Sequence, residues 1–170
     1  MRLSDGLAGL APGEADVIVL AGMGGPLMGR ILQDGLQTAL AADRLVLSPQ
    51  SDIPAFRKSL HGMGFSIVKE EMLEEDGKEY VILLAVPGAE GPWQEAEYRY
   101  GKKLLEGRHP LLFRKLQGEI RLREELIGHL SEQTGERAAA RTRELEEEKE
   151  MAQAVLRQAF GTCAEEGEEK

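Results

Sequence analysis

Val17-Ile18-Val19-Leu20-Ala21-Gly22-Met23-Gly24-Gly25-Pro26 packs an apolar run, a glycine cluster and a proline into one short stretch. A continuous apolar run of this length suits a strand buried on both faces, as in a parallel sheet. Pro26 suits a first helical turn, where its missing N–H costs nothing. Leu27, Ile31, Leu36 and Leu40 then follow near helical spacing, so the stretch predicts a strand over 17–21 leading into a helix. Downstream, Arg44-Leu45-Val46-Leu47-Ser48 repeats the strand signal, and Pro49-Gln50-Ser51-Asp52 turns the chain into a second helix through Leu60. Ser51 or Asp52 is placed to cap that helix. The order β–α–β–α implies a parallel sheet.

The period then changes. Residues 65–73 (FSIVKEEML) and 78–86 (KEYVILLAV) are two strand candidates separated by Glu74-Glu75-Asp76-Gly77. Asp-Gly between apolar runs is a strong hairpin signal, because such turns demand the positive φ that glycine accepts. A parallel sheet that ends in an antiparallel hairpin is the ending of the class I methyltransferase sheet. The expected fold is therefore α/β, the C-terminal half of a Rossmann-like methyltransferase sheet. Residues 87–92 (Pro-Gly-Ala-Glu-Gly-Pro) read as a linker. Beyond it, Leu111, Leu112, Leu116, Ile120, Ile127 and Leu130 trace one apolar stripe, and Leu145, Ala152, Val155, Leu156 and Ala159 a second. Two long helices joined near 131–136 should pack antiparallel as a helical hairpin or short coiled coil. The expected domains are residues 1–88, a partial methyltransferase domain, and 93–160, a helical hairpin domain, with 161–170 a disordered acidic tail.

The net charge of −9 hides a pattern. Residues 97–123 carry eight basic and three acidic side chains, while the segments on either side are each net −7. The bland reading of such a block is a solvated helix face; the functional one is a phosphate-binding surface. The lone Cys163 excludes an internal disulfide and fits a reducing cytoplasm. His61, His109 and His129 stand apart with no ligand spacing, so no metal site is expected, and no stretch is long and apolar enough for a membrane span.

The glycine loop 22–25 is the main candidate for chemistry, since open α/β sheets bind ligands at the carboxyl ends of their strands. It is neither a Walker A loop nor a dinucleotide fingerprint: Leu27 stands where the third glycine of the latter would fall. A tight strand-to-helix turn explains the glycines equally well from spacing alone.

Four segments in order carry a resemblance. Asp5-Gly6-Leu7, Ile18 to Gly25, Leu47-Ser48-Pro49-Gln50 and Glu75-Asp76-Gly77-Lys78-Glu79-Tyr80 together resemble the bacterial tRNA (adenine-22 N1)-methyltransferase family. The resemblance runs over essentially the whole chain, because that family also ends in a helical, coiled-coil-like domain. Ser4 stands where glycine is usual before the aspartate, and Ser48 and Gln50 where Gln and Asn are common.

The resemblance implies S-adenosylmethionine as cofactor and tRNA as partner. By position, it implies that Asp5, Gly6, Leu7, Ala21 and Gly22 contact the cofactor. Gly22, Met23, Gly24 and Gly25 would form the loop where the methyl donor meets the base, and Pro49 and Gln50 would shape the base pocket. A turn or cap role explains Asp5 nearly as well. With tRNA as partner, Arg99, Lys102, Lys103, Arg108, Arg114 and Lys115 become the candidate phosphate contacts.

A complete enzyme of this class begins with a strand, a glycine-rich loop and a second strand ending in an acidic residue, none of which precedes Asp5 here. The expectation is an N-terminally truncated product that alone neither binds S-adenosylmethionine measurably nor methylates tRNA. Its apolar 17–21 strand would lie at an exposed edge, giving self-association through that edge or through the helical hairpin. Two other classes stay open: a fragment of another Rossmann-type nucleotide-binding enzyme, and a non-catalytic interaction protein that works through the acidic helical hairpin.

Overall fold

The computed structural model describes residues 3–131 and 135–161. It forms two compact units, the first ending at Gly107 and the second beginning at Arg108. The first unit holds a four-stranded sheet of β1 (Val17–Met23), β2 (Arg44–Pro49), β3 (Phe65–Glu75) and β4 (Lys78–Pro87), in the order β1-β2-β4-β3. β1 and β2 are parallel, and β4 runs antiparallel to both β2 and β3. β3 therefore points the same way as β1 and β2. The expected sheet, parallel and then closed by an antiparallel hairpin, is the one observed.

One face of the sheet is the core. Register places Ile18 beside Leu45, Leu45 beside Ala85 and Ala85 beside Ile67, all four buried. Against this face lie α1 (Gly25–Asp34), which buries Met28 and Leu32, and α3 (Ile53–Gly62), which buries Phe56 and Leu60. The opposite face is not covered along β1, where Val17 and Val19 are 46% and 64% exposed. The apolar run at 17–21 is thus an edge strand with one buried face, rather than a strand buried on both.

The helical pattern from Leu27 to Leu40 is broken at Gly35 into α1 and α2 (Leu36–Leu40). Gly35 is the C-cap of α1, and a long-range contact keeps it a glycine. A Cβ at Gly35 would stand 2.6 Å from the Cβ of Leu7, which is buried there. Asp52 occupies the N-cap of α3, but its side chain makes no capping bond; only its carbonyl accepts from the Phe56 N–H, at 2.9 Å. The β3–β4 turn is tighter than the sequence suggests. Glu75 pairs directly with Lys78, and Asp76 and Gly77 both have positive φ, 51° and 71°, as a two-residue type I′ turn requires.

α4 (Glu95–Tyr100) and α5 (Lys102–Glu106) belong to the first unit, whereas the sequence places them with the helical domain. α4 packs on α3 and α5 on β3. They are fastened by Arg57 and Glu70, whose side chains pair at 2.7 Å and are 2% and 0% exposed.

A second cluster holds the segment before α4. Tyr98 Oη accepts from the Trp93 N–H at 3.2 Å and lies 3.0 Å from His61 Nδ1. The other ring nitrogen of His61, Nε2, lies 3.4 Å from Glu90 Oε2. Burial pulls the His61 pKa below the usual histidine value; Glu90 and Glu70 oppose that pull, and Lys102 adds to it. A base whose pKa falls on folding leaves the folded state with fewer protons, so its stabilising effect is complete above about pH 6.5 and is lost as pH falls below it. The expected result is a lower unfolding free energy at pH 5.5 than at pH 7.5, with the difference reduced in His61→Gln. Urea denaturation of both proteins at both pH values checks it, since carboxylates elsewhere titrate alike in the two.

The second unit is α6 (Pro110–Ser131) and α7 (Glu136–Phe160). They are antiparallel: Phe113 meets Phe160 at 5.2 Å between ring centroids, and Arg123 meets Glu148 at 3.0 Å. This is the helical hairpin read from the two stripes. Arg123 is buried within it, and its guanidinium also reaches Glu119 at 3.3 Å. Residues 132–134 of the expected joining loop, and the tail beyond Gly161, lie outside the described residues.

Candidate active site

Because β1, β2 and β3 point the same way, their carboxyl ends lie on one edge of the sheet. Three turns follow from that edge: the glycine loop after β1, the Gln50–Asp52 turn after β2, and the Asp76–Gly77 turn after β3. The first two are laced together. The Gln50 N–H donates to Met23 O at 3.0 Å, and the Gly25 N–H donates to Ser51 O at 3.0 Å. Gly25 has to be glycine, since a Cβ there would stand 2.7 Å from Ser51 O and 3.0 Å from Phe56 Cβ. Gly22 is different: it has φ 77° and nothing within 4 Å of where its Cβ would be. Its φ explains the glycine, and the open space lets a ligand approach the backbone.

Beside these loops an open cavity of about 620 Å³ is lined by Pro49, Gln50, Gly77, Lys78, Glu79 and Tyr80. Its volume is within the range of ligand-binding clefts. The structure therefore brings Ala21–Gly25 together with Pro49 and Gln50, and adds the β3–β4 turn as a further wall. The sequence reading took Asp76-Gly77 as a hairpin turn, 78–86 as a strand and Glu75 to Tyr80 as one of the segments that carry the resemblance, but gave none of them a place at the site. The signal was available: a strand parallel to β1 must end on the same edge as β1.

Gly6 and Leu7 lie against α1 and its C-cap. Gly6, at φ 52°, lies against Ile31, and Leu7 is buried against Gly35. α1 runs back from the glycine loop, so its Gly35 end lies about 15 Å from Gly25. Leu7 is a core side chain here, apart from the loops. Asp5 is exposed in a turn, its carbonyl accepting from the Ala8 N–H at 3.1 Å.

The basic block is divided between the two units. Within the first, Lys102 Nζ is 4.0 Å from Glu90 and 5.7 Å from the Trp93 ring centroid, Lys103 pairs with Glu106 at 3.0 Å, and Arg99 lies over Tyr100. Arg108, Arg114 and Lys115 are in the second, the latter two already engaged in interactions of their own. Among the described residues there is no group of His, Cys, Asp and Glu that could hold a metal ion, and no helix long and apolar enough to cross a membrane.

The family model for tRNA (adenine(22)-N(1))-methyltransferase matches residues 1–154. The enzyme of that name from Bacillus subtilis is 40% identical over 88 residues; the match takes in 52% of this chain and 37% of the relative, so the chain spans well under half of the curated relative it matches. Among solved structures, Streptococcus pneumoniae Sp1610, described as a tRNA (m1A22) methyltransferase, superposes with TM-score 0.79 at 33% identity, over 91% of this chain and 68% of that one. The B. subtilis m1A22 tRNA methyltransferase TrmK superposes with TM-score 0.73 at 29% identity, over 91% of this chain and 69% of that one. These matches, with the sheet and the paired loops on its carboxyl edge, show that the chain belongs to the tRNA (adenine(22)-N(1))-methyltransferase family.

Proposed function

We propose that this chain works in the S-adenosylmethionine-dependent methylation of N1 of an adenine in tRNA, and that its laced loops hold the reacting base. The observation that carries the reading is the pair of hydrogen bonds joining the 22–25 loop to the turn after β2, with the cavity beside them. It is supported by family membership and by the Sp1610 structure determined with S-adenosyl-L-methionine, which covers 91% of this chain at 33% identity.

The methyl donor, when bound, supplies an electrophilic methyl group on a sulfonium. The residues present fit its approach: Gly22 leaves open space where any side chain would stand. Ala21 and Gly22, with Asp5 and Gly6, are the candidate contacts. N1 attacks through its own lone pair, so no side chain has to remove a proton. What the protein must provide is position, which can account for a large part of such a barrier. Met23, Gly24, Gly25, Pro49 and Gln50 are fixed relative to one another by the lacing, as positioning requires. The base must be unpaired before N1 is accessible. Phosphate contacts are assigned to Arg99, Lys102, Lys103, Arg108, Arg114 and Lys115, which predicts tRNA affinity that falls with added salt.

Calorimetric titration with S-adenosylmethionine and a filter assay of tRNA binding across salt concentrations test the reading. Salt-sensitive tRNA binding supports it. Failure to retain tRNA at low salt would remove it and favour the interaction-protein alternative.

The uncovered β1 edge supports self-association as well. β1 ends the sheet and exposes Val17 and Val19 beside unpaired backbone groups, the arrangement that invites strand pairing. Sedimentation at micromolar concentration is expected to show a dimer, and Val19→Lys a monomer. A wild-type monomer would refute this.

A further inference from the structure

The β3–β4 turn has no role in the reading above, yet it walls the same cavity as Pro49 and Gln50. Its geometry is fixed. The two-residue turn sets Glu75 opposite Lys78 and Leu73 opposite Tyr80, so Tyr80 occupies one place at the cavity edge. Tyr80 is also the only aromatic residue of the first unit, among the described residues, that is not buried. Phe56, Phe65, Trp93, Tyr98 and Tyr100 are all in the core. A half-exposed ring at the mouth of a cleft offers what an extruded base needs in place of its lost stacking neighbours.

Charge indicates which part of a nucleotide enters. The tip carries Glu74, Glu75, Asp76 and Glu79 against one cation, Lys78. Such a tip repels phosphate and favours a base edge bearing amino hydrogens. Methylation at N1 sharpens the preference. The N1 lone pair forms the new N–C bond as the S–C bond breaks and its electron pair stays on sulfur. The positive charge thereby passes from sulfur to the adenine ring, and no proton leaves. A carboxylate-rich wall beside the base stabilises that ring as it becomes cationic.

Resting on the proposed function, we infer that Tyr80 is the stacking platform for the extruded target adenine, a positioning and specificity residue in the cavity that it lines with Pro49 and Gln50. An aromatic ring is required there, and the hydroxyl is not.

The test uses the intact chain and a tRNA transcript whose target adenine is replaced by 2-aminopurine, a base that brightens when unstacked and is quenched against an aromatic ring. End-label anisotropy follows tRNA affinity separately. Wild type and Tyr80→Phe are expected to bind and quench. Tyr80→Leu is expected to keep its melting temperature, to bind the transcript about fivefold or more weakly, the scale of a lost base–aromatic stack, and at saturating protein to leave the 2-aminopurine brighter than wild type does. In parallel, nitration of Tyr80 in the wild-type protein should be slowed by this tRNA, a readout independent of any variant's folding. Equal quenching in Tyr80→Leu and wild type, or nitration unaffected by bound tRNA, would overturn the inference and leave the proposed function standing. A wild-type protein that does not bind the transcript would overturn the proposed function itself, and this inference with it.

Discussion

Glu70→Ala is expected to lower the unfolding free energy of the first unit by about 3–5 kcal/mol, the range found when one member of a buried ion pair is removed. Arg57 Nε and Glu70 Oε1 are 2.7 Å apart, and both side chains are almost fully excluded from solvent. Each also holds backbone: Arg57 donates to Tyr98 O at 2.8 Å, and Glu70 Oε2 accepts from the Lys103 N–H at 2.9 Å. The pair thus joins α3 and β3 to α4 and α5. Without Glu70 the Arg57 guanidinium is left in a site where burial already pulls its pKa down. Arg57→Met with Glu70→Met should cost less than the sum of the single changes, because neither charge is left alone. Recovery should be incomplete, since Tyr98 O and the Lys103 N–H lose their partners. Gly101→Ala should act on the same clasp: its Cβ would stand 2.7 Å from Glu70 Oε2 at a φ of 95°. Urea denaturation of wild type and these five variants, the two single Met changes included, checks this. A loss under 1 kcal/mol in Glu70→Ala would mean that the clasp is not needed.

That clasp also marks where local pattern stops being informative. The strand runs at 17–21 and 44–48 and the Asp76-Gly77 turn are signals of neighbouring residues, so they could be read directly and led to the observed sheet. Arg57 and Glu70 are 13 residues apart on different elements. In sequence they look like ordinary surface charges, and nothing local shows that α4 and α5 dock on the sheet through them. Gly35 is similar in part: a glycine can end a helix locally, but the close approach of the distant Leu7, which leaves no room for a side chain there, shows in no local pattern. At the site, the glycine loop was legible because ligand loops follow the carboxyl ends of strands, and Pro49 and Gln50 were named through the resemblance. Tyr80 was legible only through the topology, since its place depends on β3 running parallel to β1. The basic block was legible as charge, and so was the i,i+3 pair of Lys103 with Glu106, but Glu90, which engages Lys102, lies outside any local pattern.

Gly24→Ala and Gly25→Ala should differ sharply, although the two glycines are adjacent in one motif. At Gly24 a new Cβ would meet Ser51 Oγ at 2.7 Å, the end of a side chain that can turn away. At Gly25 it would meet Ser51 O at 2.7 Å and Asp52 O at 3.4 Å, backbone atoms held by the start of α3. The chain can admit that methyl only by moving the loop after β1 away from the turn after β2. The Gly25–Ser51 hydrogen bond would then lengthen, and the Gln50–Met23 bond beside it would weaken. Overpacking of this kind costs about 1–3 kcal/mol of stability. The functional cost should be larger, because a shift of about 1 Å between groups that position a reacting base can slow a reaction by roughly a hundredfold. Gly25→Ala is therefore expected to lose most amide-exchange protection at Gln50 and residue 25 and, wherever methyl transfer is measured, about two orders of magnitude in rate. Gly24→Ala should keep the protection and lose no more than a few-fold in rate. Equal exchange at Gln50 in the two variants would show that the lacing does not hold the loops in place, and the positioning role assigned to them would fall with it.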